Sequence, residues 1–189
     1  MSDWYQQRFA VFEQSLNGDA TGALHDLRHT GIGHFAAAGL PTTKDEEWRF
    51  TSVAPLAAID FHLAPKPDVP SEETVAPFRY GLEGVVFVDG HYIPELSHLD
   101  ALPDGALVKS LRAANDADLV VAHLGRQAAT KDVAFTALNT AFLQDGALIY
   151  LPPKTVLTQP LHLLFLSTGH SNSVSHPRVL VVADAHAVA

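Results

Sequence analysis

The sequence predicts an α+β fold, in which an N-terminal helical region is followed by a β-solenoid or a β-sandwich. Apolar residues recur at i, i+4, i+7 and i+11 from Tyr5, which is the spacing of one helical stripe. Near the end of the chain lie three short β-rich runs: Ala147–Leu151, Leu161–Leu166 and Arg178–Ala183. These runs recur about every 14–17 residues without helices between them, which favours a solenoid or a sandwich.

The composition indicates a folded, acidic protein without thiol chemistry. Hydrophobic residues make up 47% of the 189 residues and charged residues 17%, which excludes intrinsic disorder. The net charge of −9 argues against nucleic acid and anionic membranes as partners. Without cysteine, these residues form no disulfides and no Cys-ligated metal sites. A basic, apolar leader and a membrane-spanning run are both missing, so the sequence predicts a cytoplasmic protein.

Two helices are predicted at the N-terminus. The first ends at Asn17-Gly18, and Asp19 is placed to cap the second. The second helix is weakened by Gly31 and Gly33 and ends at Gly39-Leu40-Pro41. Its apolar stripe consists of Leu24, Leu27, Gly31 and Phe35.

A third helix is predicted to begin at Thr43. The segment Thr43-Lys44-Asp45-Glu46 fits a capping box, in which the threonine and glutamate side chains bond to each other's backbone N–H. Trp48 and Phe50 supply the apolar surface of this helix. We expect Trp48 to anchor the helical region by burial, and a docking surface around Arg49 is the functional alternative.

The middle of the chain predicts a hairpin and further helices. Gly84–Val88, the turn Asp89-Gly90 and His91–Ile93 have the pattern of a hairpin with a type I′ turn. One or two short helices are expected over residues 106–125. A clearer helix is expected over Asp132–Gln144, where apolar residues follow one stripe.

The predicted organisation has three parts. Residues 1–80 form the helical region and include a Pro-rich surface linker over residues 64–77. Residues 81–145 combine the hairpin with helices, and residues 146–189 begin a β-helical core.

The last 44 residues hold only three full charges, and their strands are apolar on nearly every residue. This pattern predicts strands that are buried on both faces. The final residues are strand-like and carry no polar cap, whereas solenoids need capping elements. We therefore expect the natural protein to continue past Ala189, so that this chain is its N-terminal portion. A short protein whose last strand packs centrally is the alternative.

Three segments of the chain, residues 39–51, 138–146 and 160–181, resemble the SufD family of iron–sulfur cluster assembly proteins. Residues 39–51, GLPTTKDEEWRFT, are similar to a signature near the start of these proteins. Leu138–Phe142 with Asp145-Gly146 resembles the family's LNTAF…DG element. Pro160–His162 and His176–Val181 resemble the strands that open its β-helix. The order and spacing of these segments agree over most of the chain.

The resemblance implies that helices precede a right-handed parallel β-helix, of which this chain holds the truncated first coils. It also implies a non-catalytic scaffold subunit of a SufBCD-type complex, which pairs with a SufB-like paralogue and a SufC-like ATPase. The iron–sulfur cluster and ATP are then handled by the whole complex, and this part needs no cofactor of its own. An exposed solenoid end predicts that the chain alone forms a homodimer or aggregates.

His25 and His29 are the candidate metal ligands, because residues four apart lie on the same face of a helix. A site there needs a carboxylate or a third histidine on that face. Asp26 lies about 100° around the helix, and His34 lies on the opposite side. We therefore expect no metal site, and we assign no catalytic, cofactor-binding or metal-ligating residue.

Motifs for nucleotide binding and hydrolysis are incomplete. Gly31-Ile32-Gly33 follows a helix instead of a strand, and the segment from Gly125 to Lys131 lacks the second glycine of a P-loop. The serines from Ser167 to Ser175 lie in a turn-rich segment without a nucleophile elbow. The alternative function is a β-helix carbohydrate-active or acyl-transfer enzyme, which needs convergent Asp, Arg or His residues. A free-standing helical adaptor is a further alternative, and it predicts that residues 146–189 are dispensable for folding.

Overall fold

A computed structural model describes residues 2–16, 21–99, 102–114 and 117–188. The chain divides into two compact units. The first unit consists of Met1–His62 and Val121–Leu143, and the second of Leu63–Val120 and Gln144–Ala189. The boundaries of these units differ from those of the three predicted parts, and the three-part division stays a prediction.

Helices and strands are both present, as an α+β fold requires. The helices are α1 (Ser2–Ser15), α2 (Gly22–Ala38), α3 (Glu72–Val75), α4 (Asp118–His123) and α5 (Ala134–Ala141). The strands are β1 (His62–Leu63), β2 (Gly84–Val88), β3 (His91–Tyr92), β4 (Leu107–Ser110), β5 (Gly146–Leu151), β6 (His162–Leu166), β7 (Ser173–Val174) and β8 (Arg178–Ala183).

The first unit is built on the apolar stripe of α1. All four members of the stripe are buried, which confirms the prediction: Tyr5, Phe9, Phe12 and Leu16. Tyr5 packs edge-on against Phe35 of α2, with ring centroids 4.8 Å apart. Thr21 occupies the N-cap of α2 without a side-chain cap hydrogen bond, while Asn17-Gly18 and Asp19 lie outside the described residues. As predicted, α2 stops before Gly39, which has a φ of 69°.

Gly31 has a packing role that the sequence did not reveal. Helix α5 lies directly against Gly31. Its range falls within residues 132–144, which confirms the helix predicted there. A Cβ at Gly31 would lie 2.7 Å from the backbone nitrogen of Ala141 and 2.8 Å from the carbonyl oxygen of Ala137. The missing side chain therefore lets α2 and α5 approach closely. A Cβ at Gly33 would meet nothing within 4 Å.

The predicted third helix is wrong. Only a single 3-10 turn forms, over Glu46–Trp48. The carboxylate of Asp45 accepts a hydrogen bond of 2.7 Å from the Thr42 backbone N–H, and this local bond competes with helix formation. Phe50 is 91% exposed, so it does not supply the expected apolar surface. Trp48 is half-buried and packs on Phe135 with centroids 5.1 Å apart, as an anchor of the helical region should.

The second unit contains the predicted hairpin. Strands β2 and β3 pair antiparallel, with Phe87 opposite Tyr92 and Val88 opposite His91. Asp89 and Gly90 have φ values of 50° and 85°, which are the two positive angles of a type I′ turn. The hairpin prediction is confirmed.

Two further segments differ from their predictions. The linker over residues 64–77 includes α3, whose Val75 is fully buried and whose N-cap Ser71 accepts the Thr74 N–H. The segment 106–125 begins with β4, not a helix, because Val108 and Ser110 alternate with more exposed neighbours at the period of a strand. Helix α4 follows, as expected for the second half of that segment.

The three β-rich runs near the end of the chain form β5, β6 and β8, which confirms their positions. Strand β5 pairs with β8 in parallel and with β4 antiparallel, and β2 pairs with β6 in parallel. Gly146 lies opposite Arg178, and Val156 bridges Val188, so the same offset of 32 residues occurs twice.

One hydrophobic cluster in the core of the second unit lies between these strands. It is formed by Val85, Phe87, Val108, Ala147, Ile149 and Leu151. Strand β5 supplies three of these residues, which argues against an adaptor that folds without residues 146–189. Burial on both faces is correct for β5 but wrong for β6 and β8, since every other residue of β8 from Val179 to Ala183 is exposed.

Candidate functional site

One cluster of metal-ligating side chains lies in the first unit. The Nε2 atoms of His25 and His29 lie 3.0 Å apart. The Oε1 atom of Glu13 lies 3.0 Å from the first nitrogen and 2.8 Å from the second. Glu13 comes from α1, and both histidines come from α2. Three donor atoms from two helices thus converge on one point.

The surroundings of the cluster hold its rings in place. The His25 side chain is 11% exposed, whereas that of His29 is 53% exposed, so one side of the cluster faces solvent. The two imidazole rings pack edge-on with centroids 4.6 Å apart. Phe9, one helical turn before Glu13, packs edge-on against His29 at 5.3 Å. The Nδ1 atom of His25 is buried without a hydrogen-bond partner among the described residues.

Glu13 is the residue that sequence reasoning missed. The other candidates on α2 itself do not join the pair, because Asp26 is exposed and His34 bonds to Thr130 Oγ1 at 2.8 Å. The actual carboxylate lies twelve positions before His25, on the preceding helix. Its only signal in the sequence is its place beside Phe12, at the polar margin of the α1 stripe.

The serines from Ser167 to Ser175 and three further histidines, His162, His170 and His176, form no reactive constellation among the described residues. Ser173 Oγ donates to the His170 carbonyl in a turn, and Ser167 Oγ accepts the Gly169 N–H. Burial lowers the pKa of His176 to about 4, so this side chain is neutral near pH 7. His162 is half-buried in β6.

A buried carboxylate organises the second unit at the position of the LNTAF…DG element. The Oδ1 atom of Asp145 accepts hydrogen bonds from Ser110 Oγ at 2.7 Å and from the Gly146 N–H at 2.7 Å. It also accepts the Arg112 N–H at 3.2 Å, and Oδ2 accepts the Tyr92 N–H at 3.3 Å. Asp145 therefore joins the ends of β3, β4 and β5, which is a structural role.

A second carboxylate secures the hairpin turn to β6. Burial raises the pKa of Asp89, but hydrogen bonds from the Thr168 N–H and hydroxyl outweigh it and hold the pKa below its usual value. The Asp89 N–H in turn donates to the Leu166 carbonyl at 2.9 Å. The end of β6 is thereby fixed beside the turn.

The sheets of the second unit present edge strands with apolar side chains. Strands β6 and β8 stand at the ends of their three-stranded sheets among the described residues. Phe165 of β6 stacks on Phe87 at 4.8 Å and is 40% exposed. Val181 of β8 and Val156 are each about half exposed. An edge strand of this kind has unpaired N–H and C=O groups that can accept a further strand.

No helix within the described ranges is long and apolar enough to cross a membrane.

Comparisons with known proteins identify the family. Residues 1–163 match the family model described as the SufBD protein N-terminal region. The chain is 33% identical over 184 residues to the iron-sulfur cluster assembly SufBD family protein slr0076 of Synechocystis, an alignment that covers 94% of this chain and 40% of the relative. It is 36% identical over 67 residues to the SufBD family protein ABCI9 of Arabidopsis thaliana, covering 35% of this chain and 14% of the relative. It therefore spans well under half the length of these relatives, and the match over residues 1–163 shows that the chain belongs to the SufBD family.

Proposed function

We propose that this chain is part of a non-catalytic scaffold subunit that acts in iron–sulfur cluster assembly in the cytoplasm. In the proposal the subunit is of the SufD type and pairs with a SufB-like paralogue and a SufC-like ATPase. Support comes from the family match and from the relatives, whose names state a role in iron–sulfur cluster assembly.

The observation that carries the scaffold proposal is that residues 32 positions apart pair in parallel at two places, which supports a β-helix. Gly146 pairs with Arg178 and Val156 with Val188, both in parallel. Two parallel contacts with one offset are what stacked coils of a parallel β-helix produce, because each coil repeats the same path one strand spacing higher. We infer that β5 and β8 belong to successive coils. A right-handed helix is part of this proposal.

A stack of coils suits a scaffold because it is stiff and presents unpaired strand edges. Strands β6 and β8 lie at the ends of their sheets and carry exposed apolar side chains such as Phe165 and Val181. In the full-length protein we propose that a further coil of the same polypeptide covers them, since the alignment spans only 40% of the relative's length. The paralogue then binds elsewhere on the completed rod.

The absence of cysteine from this chain is consistent with a subunit that does not itself ligate the cluster through thiolates. The chain has no cysteine, so it supplies no thiolate for a cluster. Thiolate ligands must come from another polypeptide or from another part of the same protein. A scaffold that positions such ligands without bonding to the cluster meets this requirement.

Co-purification of the full-length protein tests the function. It is expressed with a removable tag, together with the SufB-like and SufC-like proteins encoded in the same genome. We expect one complex that contains all three and that activates an apo-ferredoxin when given iron, sulfide and ATP. Recovery of the full-length protein without either partner would contradict the proposal. A protein of similar size and charge from outside the family serves as the control for nonspecific recovery.

Hydrogen exchange tests the β-helix separately from the partners. The amides of β8 should exchange rapidly in the 189-residue chain and slowly in the full-length protein, whereas those of β5 should be protected in both. Equal exchange of β8 in the two proteins would show that no further coil covers this strand.

A further inference from the structure

We propose that Glu13, His25 and His29 form a binding site for a divalent first-row transition-metal ion. Two imidazole nitrogens and one carboxylate oxygen supply the ligands, and solvent supplies the rest. This proposal does not depend on the proposed function, because it rests on the geometry of the first unit alone.

Hydrogen-bond accounting provides the first argument. An ionised carboxylate only accepts hydrogen bonds, so both Nε2 atoms must carry a proton to bond with Glu13. The two N–H groups then face each other across 3.0 Å, where neither can accept. If either nitrogen is instead deprotonated, its lone pair faces the carboxylate oxygen. No arrangement of protons satisfies all three contacts while Glu13 is ionised, but one cation that accepts a lone pair from each atom satisfies them together.

The separations between the donor atoms provide the second argument. Adjacent ligands of an octahedral ion lie √2 bond lengths apart, which is about 3.0 Å for metal–ligand bonds of about 2.1 Å. Tetrahedral ligands at the same bond length lie about 3.4 Å apart. The three separations here are 2.8, 3.0 and 3.0 Å. They match three adjacent positions of an octahedron, the two-histidine, one-carboxylate face that leaves the remaining positions open.

The ligand types and their exposure determine which ions fit. Imidazole nitrogen suits iron, cobalt, nickel, copper and zinc, whereas magnesium and calcium prefer an all-oxygen set. The half-exposed side chain of His29 leaves a path for water to the open positions. His25 Nδ1 has no partner among the described residues to orient the ring, and loss of such a partner costs about 10–100-fold in affinity. We therefore expect moderate affinity, with packing against neighbouring rings as the means of orientation.

Calorimetric titration with ZnCl₂ or CoCl₂ tests the site directly. The 189-residue chain is freed of any affinity tag and treated with a chelator beforehand. We expect one ion per chain to bind in a saturable step. Absence of a stoichiometric site for either ion, at protein concentrations of about 100 μM, would overturn the proposal.

Variants assign the binding to the cluster. Glu13→Gln and His29→Gln should each weaken binding at least about tenfold, because each removes one ligand at a partly exposed position. His34→Gln on the same helix should leave binding unchanged, since His34 bonds to Thr130 and lies outside the cluster. Tryptophan fluorescence in urea with chelator present checks that the variants fold. Binding of equal strength in both ligand variants would place the ion elsewhere among the histidines and refute the site.

Discussion

Replacing Gly31 with alanine tests whether close approach of α2 and α5 governs the stability of the first unit. The new Cβ would lie 2.7 and 2.8 Å from two backbone atoms of α5, which cannot rotate away. To restore ordinary contact at 3.4 Å or more, the helices must separate by about 0.7 Å. Such overpacking costs about 1–3 kcal/mol, and alanine returns about 0.5–1 kcal/mol through helix propensity. Combined, these ranges give a net loss of up to about 2.5 kcal/mol, and about 1 kcal/mol at their midpoints.

Gly33 offers a matched control, because it lies two positions away on the same helix and a Cβ there meets nothing within 4 Å. Gly33→Ala should stabilise the unit by about 0.5–1 kcal/mol. Both tryptophans, Trp4 and Trp48, belong to this unit, so urea unfolding followed by tryptophan fluorescence reports on it selectively. If both variants shift the midpoint in the same direction and by the same amount, the close helix contact does not constrain stability and the reasoning fails.

Three further predictions concern the second unit. Asp145→Ala leaves buried N–H and hydroxyl donors unpaired and should cost about 3 kcal/mol or more, seen as a lower urea midpoint by circular dichroism. The pKa of His176 is about 4 in the folded chain and near 6.5 in the unfolded chain, so the unfolded chain binds more protons at pH 5 and the free energy of unfolding should fall by about 2 kcal/mol from pH 7 to pH 5. The same pH dependence in His176→Gln would contradict this. Gly146→Ala places a Cβ 1.8 Å from the Arg178 carbonyl oxygen, so amides of β8 should exchange faster by hydrogen-exchange mass spectrometry, while tryptophan-detected unfolding stays unchanged.

The parts of the fold that sequence reasoning found are those in which local pattern and burial agree. The α1 stripe from Tyr5 has one face and one period, and the structure buries that face. The Asp89-Gly90 turn is set by backbone angles that few residue pairs adopt. Strands β5, β6 and β8 are short, mainly apolar runs bounded by turn residues.

The parts that it missed depend on a competing interaction. The capping box at Thr43 is a valid local motif, but Asp45 bonds back to Thr42 and leaves only a 3-10 turn. The residues of β4 lie in a segment for which the sequence predicts helices. They form a strand because β5 supplies their hydrogen-bonding partners. Tertiary pairing overrides a weak local preference in such a segment.

The candidate metal cluster shows the same limit more sharply. His25 and His29 are neighbours because of helical period alone, and the sequence therefore reveals them as a pair. Glu13 joins them only because α1 packs on α2, through aromatic contacts that the spacing of the two histidines does not reveal. The spacing within one helix does not show which residues of another helix converge on it, so the sequence does not reveal Glu13 as the third ligand.

Strands β2 and β5 each begin with a glycine where they pair with a parallel neighbour. Gly84 and Gly146 each begin a strand, and each lies directly opposite the residue whose carbonyl oxygen would meet a Cβ at 1.8 Å. A side chain at either position would push the next strand away at the point where pairing starts. Glycine therefore fixes where each parallel pair begins, and the remaining register follows from the backbone hydrogen bonds. The same constraint occurs in the β2–β6 pair and in the β5–β8 pair, so a side chain at either glycine should disturb the register of its pair at the first residue.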